Sequence, residues 1–541
     1  MGLATEKISV KDLFVGNRER LISRLQETLA AAQALVYLRG GPSAERFDTD
    51  HEPIFQQESY FQYLTGVKEP DCSVLIDVQA NKTILLIPRL PPEYATIMGK
   101  IRTPDEWRDL YLVDEVRFND ETHDILQQEY RIGNTTNGHT AQTILLMKGT
   151  NSDSGNTYEP PADFVEKYAS NIDIDTLFPI LANQRVTKSP SELSVLRYVT
   201  EVTSFAHAYV MRNMKPGMAE YQGEVSLSLL VLRIESLCHT LIFYVVFQSL
   251  FRHYCYFNYG CRLVGYTPIC GCGPNSAILH YGHAGEPNSR LSQAGDTCLF
   301  DMGCEYFCYG SDVTCSFPIT GKFNDRQRPI YTAVLNAQVA VYNMLRPGVS
   351  WVDCHKTAEL EILRKLSEIG LVVPGDKTLE ELVELRLGAV FMPHGLGHFI
   401  GLDTHDVGGY LKGYPDRIPK PGLKSLRTAR ILEETMTLTV EPGCYFIDHL
   451  LDEALAQYSP LRAYLDERKL AEYRGFGGVR LEDVVVITAE NCINFTLCPR
   501  TIEEVEAVMQ GGKWPPYKDT APELRRQRLT DPTPLPSPPS L

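Results

Sequence analysis

The chain has 541 residues, of which 43% are hydrophobic and 22% charged, and it carries a net charge of −16. This length suits two folded domains and allows a large apolar core without disulfide bonds. The acidic balance argues against long DNA or RNA as a partner, because phosphate binding needs a basic surface, and it suits a site that holds cations.

The N-terminal residues MGLATEKISVKDLF carry charges early and lack the long apolar core of a secretory signal. The 14 cysteines are irregularly spaced, which favours free thiols in a reducing compartment. Together these features predict a cytoplasmic protein. Cys270 and Cys272 form a CxC pair without a second matched pair, so the pattern gives little support to a zinc site there.

Residues 1–185 alternate helical and strand-like stretches and are predicted to form an N-terminal domain without a catalytic cluster. The runs at 73–78 and 82–90 are typical of two strands joined by a short turn. A helix is then expected to start after Ser189, because Ser189 is a good N-cap and Glu192 completes a capping box. We place the domain boundary just before this helix, at 185/186.

Residues 186–510 mix helices with strands, and they are predicted to form the second domain. From 511 to 541 the chain becomes charged and then proline-rich, which predicts a disordered tail. Within the second domain, residues 225–248 are densely apolar. A membrane span there would place Arg233 and Glu235 in hydrocarbon at a cost of ~2.5–3.5 kcal/mol each, so we expect no membrane partner.

Two aspartates, Asp301 and Asp312, each follow strand-forming residues. They are too far apart along the chain to share one strand face, so neighbouring strands are the natural way to bring them together. Taken alone, the two residues are more typical of aspartates that cap turns.

Three histidines, His394, His398 and His405, lie in the run HGLGHFIGLDTHDVGGY. His394 and His398 have the spacing of one helix face, but Gly395 and Gly397 would each cost about 1 kcal/mol relative to alanine in a helix. A loop or strand edge is therefore expected, with its backbone close to another group. A single histidine is more often a structural hydrogen-bonder, whereas three among glycines favour a site.

Two glutamates complete the set of candidate residues. Glu441 follows the alternating run MTLTV, which predicts a strand with Glu441 on its polar face. Glu482 shares one face of a second predicted strand with Arg480. Because an unpaired buried charge is strongly disfavoured, Glu482 is expected to pair with Arg480, to hold a metal ion, or to do both.

These runs together offer two aspartates, two glutamates and a histidine. Four carboxylates in one pocket would repel one another and partly protonate unless cations compensated them. Two divalent ions resolve that conflict, and oxygen-rich ligation with one imidazole favours Mn²⁺, with Co²⁺ or Zn²⁺ as alternatives. Two such ions can share a bridging water and lower its pKa, giving hydroxide at neutral pH. The expected reaction is metal-assisted hydrolysis.

The chain resembles the pita-bread metallopeptidases, the family of prolidase, aminopeptidase P, creatinase and methionine aminopeptidase. Besides the runs above, the resemblance includes FQQES (55–59), MGKI (98–101), NSAILHYGHAG (275–285), SLRTAR (425–430) and LLDEALA (450–456). It implies an α+β fold in which an N-terminal prolidase/creatinase-type α/β domain precedes a pita-bread catalytic domain. It also implies a homodimer that hydrolyses dipeptides ending in proline.

The resemblance assigns roles to matching positions. The implied metal ligands are Asp301, Asp312, His398, Glu441 and Glu482. Glu441 would also act as the general base on the bridging water. The implied substrate-binding residues are His405, which would also stabilise the oxyanion, His280, which would line the same pocket with a catalytic role, Arg427, Tyr266 and Arg480. Arg427 would bind the carboxylate of the C-terminal proline, a task suited to a forked guanidinium. A structural imidazole is the alternative for His280.

Two alternative functions stay open. An aminopeptidase P-like enzyme would share the five ligands but remove one residue from longer Xaa-Pro peptides. A catalytically inactive pita-bread module used for protein binding would typically lose ligands, whereas all five are present here.

The chain departs from the family pattern at four places. Ile97 stands where a tryptophan is usual, a His-Ser pair is missing just before Tyr266, and Thr404 replaces an aliphatic residue. Family members also lack residues 225–248, whose ends can be encoded as intron-boundary sequences. We interpret this segment as a retained intron or a gene-model error, which cDNA sequencing across the junction tests.

Overall fold

A computed structural model describes residues 11–29, 33–132, 142–224, 250–282 and 288–528. The chain divides into two compact units between Glu192 and Leu193. The boundary predicted at 185/186 lies slightly earlier, and the first turn of the intervening helix stays with the N-terminal unit through an ion pair of 3.3 Å between Glu192 and Arg20. The apolar segment 225–248 lies outside the described residues. Within the described ranges, no helix has the length and apolarity needed to cross a bilayer.

The N-terminal unit is built on a six-stranded sheet. Its helices are α1 (Gly16–Leu29), α2 (Ser59–Thr65), α3 (Tyr94–Met98), α4 (Pro104–Tyr111), α5 (Thr122–Asp124), α6 (Ala162–Tyr168) and α7 (Leu177–Val186). Its strands are β1 (Ala34–Arg39), β2 (Ser73–Asp77), β3 (Lys82–Ile87), β4 (Glu115–Phe118), β5 (Thr143–Leu146), β6 (Gly149–Thr150), β7 (Thr157–Tyr158) and β8 (Ile172–Asp173). The sheet has the strand order β4-β3-β2-β1-β5-β8.

Strands β2 and β3 confirm the two strands predicted from the sequence in this unit. They pair antiparallel, with Ser73 opposite Leu86. Parallel pairs β1–β5, β3–β4 and β5–β8 make the sheet mixed. Leu75, Ile84 and Leu86 are buried in one apolar cluster of this unit, so the sheet has its own core.

The C-terminal unit contains several small sheets and longer helices. Its helices are α8 (Pro190–Asn213, which starts in the N-terminal unit), α9 (Tyr221–Glu224), α10 (Leu250–Tyr259), α11 (Gln327–Met344), α12 (Trp351–Glu368), α13 (Leu379–Glu384), α14 (Gly388–Phe391), α15 (Asp448–Leu455), α16 (Glu467–Tyr473) and α17 (Ile502–Met509). Its strands are β9 (Leu263–Val264), β10 (Ile269–Cys272), β11 (Thr297–Asp301), β12 (Cys304–Tyr306), β13 (Tyr309–Gly310), β14 (Thr314–Pro318), β15 (Thr437–Val440), β16 (Gly443–Tyr445), β17 (Gly478–Arg480), β18 (Asp483–Ile487) and β19 (Cys492–Asn494).

The predicted start of α8 is confirmed by its capping contacts. The Glu192 backbone N–H donates to Ser189 Oγ at 3.3 Å, and the Ser189 backbone N–H donates to Glu192 Oε2 at 2.8 Å. Helices and strands occur together in both units, which agrees with the predicted α+β class.

The strand pairs β11–β14 and β15–β18 position the candidate carboxylates. Both pairs are antiparallel, with Asp301 opposite Thr314 and Val440 opposite Asp483. Candidate carboxylates therefore lie at or beside the ends of paired strands.

The prediction of a disordered tail from 511 is wrong for residues 511–528. Leu524 is completely buried, and its carbonyl accepts a hydrogen bond of 3.1 Å from Asn494 Nδ2. Trp514 Nε1 donates to the Leu497 carbonyl at 2.6 Å. A few apolar residues therefore attach a segment whose overall composition is polar and proline-rich. Residues 529–541 lie outside the described residues.

Candidate metal centre

The two candidate aspartates lie at or beside the ends of neighbouring strands, which agrees with the prediction that such strands bring them together. Asp301 is the last residue of β11, and Asp312 lies two positions before β14, which pairs with β11. The short hairpin of β12 and β13 connects them. Both carboxylates are buried.

The two candidate glutamates meet through the next strand pair. Glu441 directly follows β15 and Glu482 directly precedes β18, so the pairing of Val440 with Asp483 places them side by side. Their exposures differ, because 17% of the Glu441 side chain is exposed but only 2% of that of Glu482. Glu441 is thus the carboxylate that solvent reaches more easily.

His398 lies in a loop after α14, which confirms that the glycine-rich run is not helical. An added Cβ on Gly397 would overlap the Thr439 carbonyl oxygen, so the close backbone approach requires glycine. The Thr439 backbone N–H donates to the His398 carbonyl at 2.9 Å. The loop is therefore fastened along β15, beside Glu441.

The orientation of His398 directs one ring nitrogen to the carboxylates. Its Nδ1 lies 2.9 Å from the Phe399 carbonyl oxygen, which makes Nδ1 the donor and leaves Nε2 for the site. Nε2 lies 3.3 Å from Asp312 Oδ2, 3.6 Å from Glu441 Oε1 and 3.9 Å from Glu482 Oε1.

The described residues form three overlapping groups whose ligand atoms lie within 4.8 Å of one another. The groups are Asp312 with His398 and His405, His398 with Glu441 and Glu482, and Asp301 with Asp312 and Glu482. All five predicted ligands are therefore brought together. A ring nitrogen of His405 also lies within 4.8 Å of possible ligand atoms of Asp312 and His398. Asp312 Oδ1 is buried and has no hydrogen-bond partner among the described residues, so a bound cation would satisfy this oxygen. The donor set fits divalent cations.

Electrostatics supports the same interpretation. Burial and the charge of Asp312 raise the pKa of Asp301 to about 6. Burial raises the pKa of Glu441 to about 7 and that of Glu482 well above its ordinary value. Burial also disfavours the ionised form of Asp312, but its contact with His398 holds the pKa of this carboxyl below its ordinary value. Several of the clustered carboxylates thus lack compensating positive charge.

Arg480 and Tyr266, which the resemblance assigns to substrate binding, both contact Asp301. Arg480 Nη2 pairs with Asp301 Oδ2 at 2.6 Å, and the Tyr266 hydroxyl donates to Asp301 Oδ1. Of the two alternatives for Glu482, the ion pair with Arg480 is not formed, and metal binding stays a prediction. Glu482 Oε2 instead accepts a hydrogen bond of 2.7 Å from Thr314 Oγ1.

Two further residues, Thr314 and Tyr445, hold site residues in place, and the sequence alone does not indicate them. Thr314 Oγ1 contacts both Glu482 and Arg480 Nε, the latter at 2.9 Å. The Tyr445 hydroxyl accepts from Arg480 Nη1 at 2.9 Å and lies 3.1 Å from His394 Nε2. The only signal in the sequence is their position on strands beside ligand residues, which many other side chains share.

The three histidines of the glycine-rich run differ in their surroundings. His394 is held between Tyr445 and the Gly395 carbonyl oxygen, and burial lowers its pKa to about 3. The His405 ring is 4.5 Å from the His398 ring, nearly perpendicular to it. Burial lowers the pKa of His405 to about 2, so this imidazole is neutral near pH 7.

His280 is exposed and Arg427 is half-buried. After burial and the charge of His398, both contribute to the lowered pKa of His405, and His280 contributes to that of His394 as well. The two cysteines of the CxC pair lie elsewhere on β10, where Cys270 Sγ is 3.7 Å from Met302 Sδ and Cys272 Sγ is 3.2 Å from Cys298 Sγ. Neither belongs to a ligand group among the described residues.

Comparisons with known proteins agree with this geometry. Residues 194–489 match the model of metallopeptidase family M24, and residues 14–137 match that of the aminopeptidase P N-terminal domain. Human Xaa-Pro dipeptidase is 45% identical over 514 residues, covering 94% of this chain and 96% of the human protein.

More distant relatives match the chain over most of its length. A probable Xaa-Pro aminopeptidase of Talaromyces stipitatus is 31% identical over 495 residues, covering 91% of this chain and 96% of its own. Zinc-substituted Escherichia coli aminopeptidase P, solved in complex with product, has a TM-score of 0.68 and 27% identity, covering 94% of this chain and 99% of its own. The full-length match to these peptidases and the clustered acidic side chains lead to one assignment: the chain belongs to metallopeptidase family M24.

Proposed function

We propose that this chain hydrolyses dipeptides whose C-terminal residue is proline, using two divalent cations. The observation that carries the proposal is the overlap of the ligand groups, in which Asp312, His398 and Glu482 each belong to two of the three groups. Shared ligands are what a pair of closely spaced ions needs. The human relative, named an Xaa-Pro dipeptidase, supports the substrate class.

The proposed ligands are Asp301, Asp312, His398, Glu441 and Glu482. Their oxygen-rich chemistry with one imidazole favours Mn²⁺. When bound, two divalent cations lower the pKa of a water molecule and so supply hydroxide near neutral pH.

We assign the general base to Glu441. It is the most exposed of the four carboxylates, so its oxygens are the ones that a water molecule reaches. Its Oε1 also accepts a hydrogen bond of 3.3 Å from Thr439 Oγ1, which fixes the carboxylate at the end of β15. A carboxylate in this position can take a proton from the attacking water and deliver it to the leaving nitrogen.

We assign oxyanion stabilisation to His405 and carboxylate recognition to Arg427. A neutral imidazole such as His405 can donate an N–H to the developing oxyanion. The Arg427 guanidinium offers a forked pair of donors to the carboxylate of the C-terminal proline. His280 is proposed to line the pocket between them. Arg480 and Tyr266 are proposed to orient Asp301 as a ligand and not to bind substrate.

The test combines metal analysis with peptide cleavage. The purified protein is expected to hold two metal ions per chain and to cleave Gly-Pro, and metal removal should abolish cleavage until Mn²⁺ is restored. Glu482→Gln is expected to lose both metal and activity, because the amide supplies one neutral oxygen in place of a carboxylate. Undiminished turnover by Glu482→Gln, or by the metal-free protein, would rule out the proposal.

A specific observation keeps an aminopeptidase P-like activity as the second candidate. The solved structure and the Talaromyces stipitatus relative described above are aminopeptidases by name. The two activities separate on Gly-Pro and Gly-Pro-Pro, because only the dipeptide places its proline carboxylate beside the scissile bond. Faster cleavage of Gly-Pro-Pro would favour the second candidate. We further propose a cytoplasmic homodimer, which fractionation and light scattering would test.

A further inference from the structure

A buried carboxylate lies outside the metal-ligand groups in the C-terminal unit. Glu220 is completely buried, and it accepts hydrogen bonds from four donors. These donors are Cys272 N at 2.7 Å, Asn275 Nδ2 at 3.1 Å, Arg290 N at 3.0 Å and the Tyr281 hydroxyl at 2.7 Å. A buried carboxylate with this many donors is well stabilised, and it connects segments that are distant in sequence.

Three of those donors, Asn275, Tyr281 and Arg290, belong to the loop between β10 and β11, which also carries His280. Asn275 Nδ2 also donates to the Tyr281 hydroxyl at 2.8 Å, so Glu220, Asn275 and Tyr281 form a closed triangle of contacts. His280 directly precedes Tyr281 in the chain. Fixing the Tyr281 side chain at its hydroxyl therefore restrains the backbone from which His280 extends.

The part of this loop that leads back to β11 is also bound to the backbone at Ala219 and Glu220. The Glu220 backbone N–H donates to the Arg290 carbonyl at 3.0 Å, and Ala219 forms a bridge with Leu291. Farther into the loop, the Asn288 amide side chain accepts from Cys270 N at 3.0 Å and donates to the Pro268 carbonyl at 3.2 Å. Both ends of the loop are thus held on the body of the unit.

We propose that Glu220 and Tyr281 are positioning residues, which act on the peptidase reaction by holding His280 at the substrate. This inference rests on the proposed function, since it needs His280 to line the substrate pocket. Neither residue belongs to a metal-ligand group formed by the described part of the chain, so metal binding should be independent of them. A misplacement of ~1 Å at a reacting centre costs about 100-fold in rate, so the loss of one of several restraints on His280 is expected to cost less than that.

The central variant is Tyr281→Phe, which removes one hydroxyl and keeps the ring. It is expected to lower kcat/KM for Gly-Pro by about 10-fold, with an unchanged number of metal ions per chain. Glu220→Gln is expected to have a larger effect, because an amide cannot accept from all four donors. Tyr198→Phe is the matched control. It also removes a tyrosine hydroxyl, one that donates to the Tyr259 carbonyl at 3.0 Å, and it should leave kcat/KM unchanged.

A double-mutant cycle with His280→Ala distinguishes positioning from general destabilisation. If Tyr281 acts through His280, Tyr281→Phe should add less than about 2-fold to the loss already caused by His280→Ala. Multiplicative losses, or wild-type kcat/KM in Tyr281→Phe, would overturn the inference. If the metal-loaded wild type itself fails to cleave Gly-Pro, the proposed function fails. Wild-type cleavage that is insensitive to Tyr281→Phe defeats only the positioning role.

Discussion

Replacing Gly397 by alanine tests whether the backbone that crosses behind His398 sets the position of this imidazole. To bring an added Cβ out to 3.0 Å from the Thr439 carbonyl oxygen, the loop would have to retreat by about 1 Å. Thr439 belongs to β15 and cannot yield easily, so His398 would move away from Glu441 and Asp312. A misplacement of ~1 Å at a reacting centre costs about 100-fold, or ~2.7 kcal/mol of activation free energy.

The assay is Gly-Pro hydrolysis together with metal content and thermal unfolding. We expect Gly397→Ala to lower kcat/KM at least about 100-fold and to retain less metal than the wild type. Gly395→Ala should be milder, because its Cβ would lie 2.8 Å from Leu426 Cα and need move only a few tenths of an ångström. Gly16→Ala is the control, since no atom of the described residues lies within 4 Å of a Cβ there. Wild-type activity and metal content in Gly397→Ala would refute the reasoning.

Two further predictions concern an arginine of the site and one remote from it. Arg427→Lys is expected to raise KM for Gly-Pro about 10-fold with little change in kcat, because an ammonium is a point charge and not a fork, whereas KM for Gly-Pro amide should be the same in both proteins. An equal KM for Gly-Pro in the two proteins contradicts the assignment. Arg526→Ala should lower the free energy of unfolding by ~3 kcal/mol at neutral pH. Arg526 Nη2 lies 2.7 Å from Glu504 Oε1, and the substitution leaves this carboxylate without its arginine partner. Burial opposes ionisation of Glu504, but Arg526 holds the pKa of this carboxyl below its ordinary value of 4.5. The stability difference between the two proteins is therefore fully present above pH 4.5. It should shrink as the pH falls through the lower pKa that Glu504 has in the folded protein. A stability difference in urea unfolding that does not change with pH would contradict this prediction.

The clustering of the proposed ligands could largely be predicted, because several of them lie at strand ends that short sequence patterns indicate. Glu441 after an alternating run and Gly397 beside His398 both carry local signals of a strand end and a close backbone approach. The alternation predicts a polar face for the strand of MTLTV, but that face is not exposed. Thr437 and Thr439, which lie on it, are completely buried.

The partners of the ligands could not be predicted, because they depend on pairing between distant strands. Arg480 contacts Asp301 across 179 positions of the chain, although Glu482 is two residues away. The attachment of residues 511–528 could not be predicted for a related reason. The charged and proline-rich composition of the tail hides the few apolar residues, such as Leu524, that are buried.

If the proposed ligands hold the metal ions, the pairing of β15 with β18 makes metal content a measure of correct folding. Side chains alternate along a strand, so a slip of one residue at this seam would turn Glu482 to the opposite face of the sheet. Molecules misaligned in this way would keep every ligand residue and still hold no ions. The metal content of a refolded preparation therefore counts the chains whose strands have found their register.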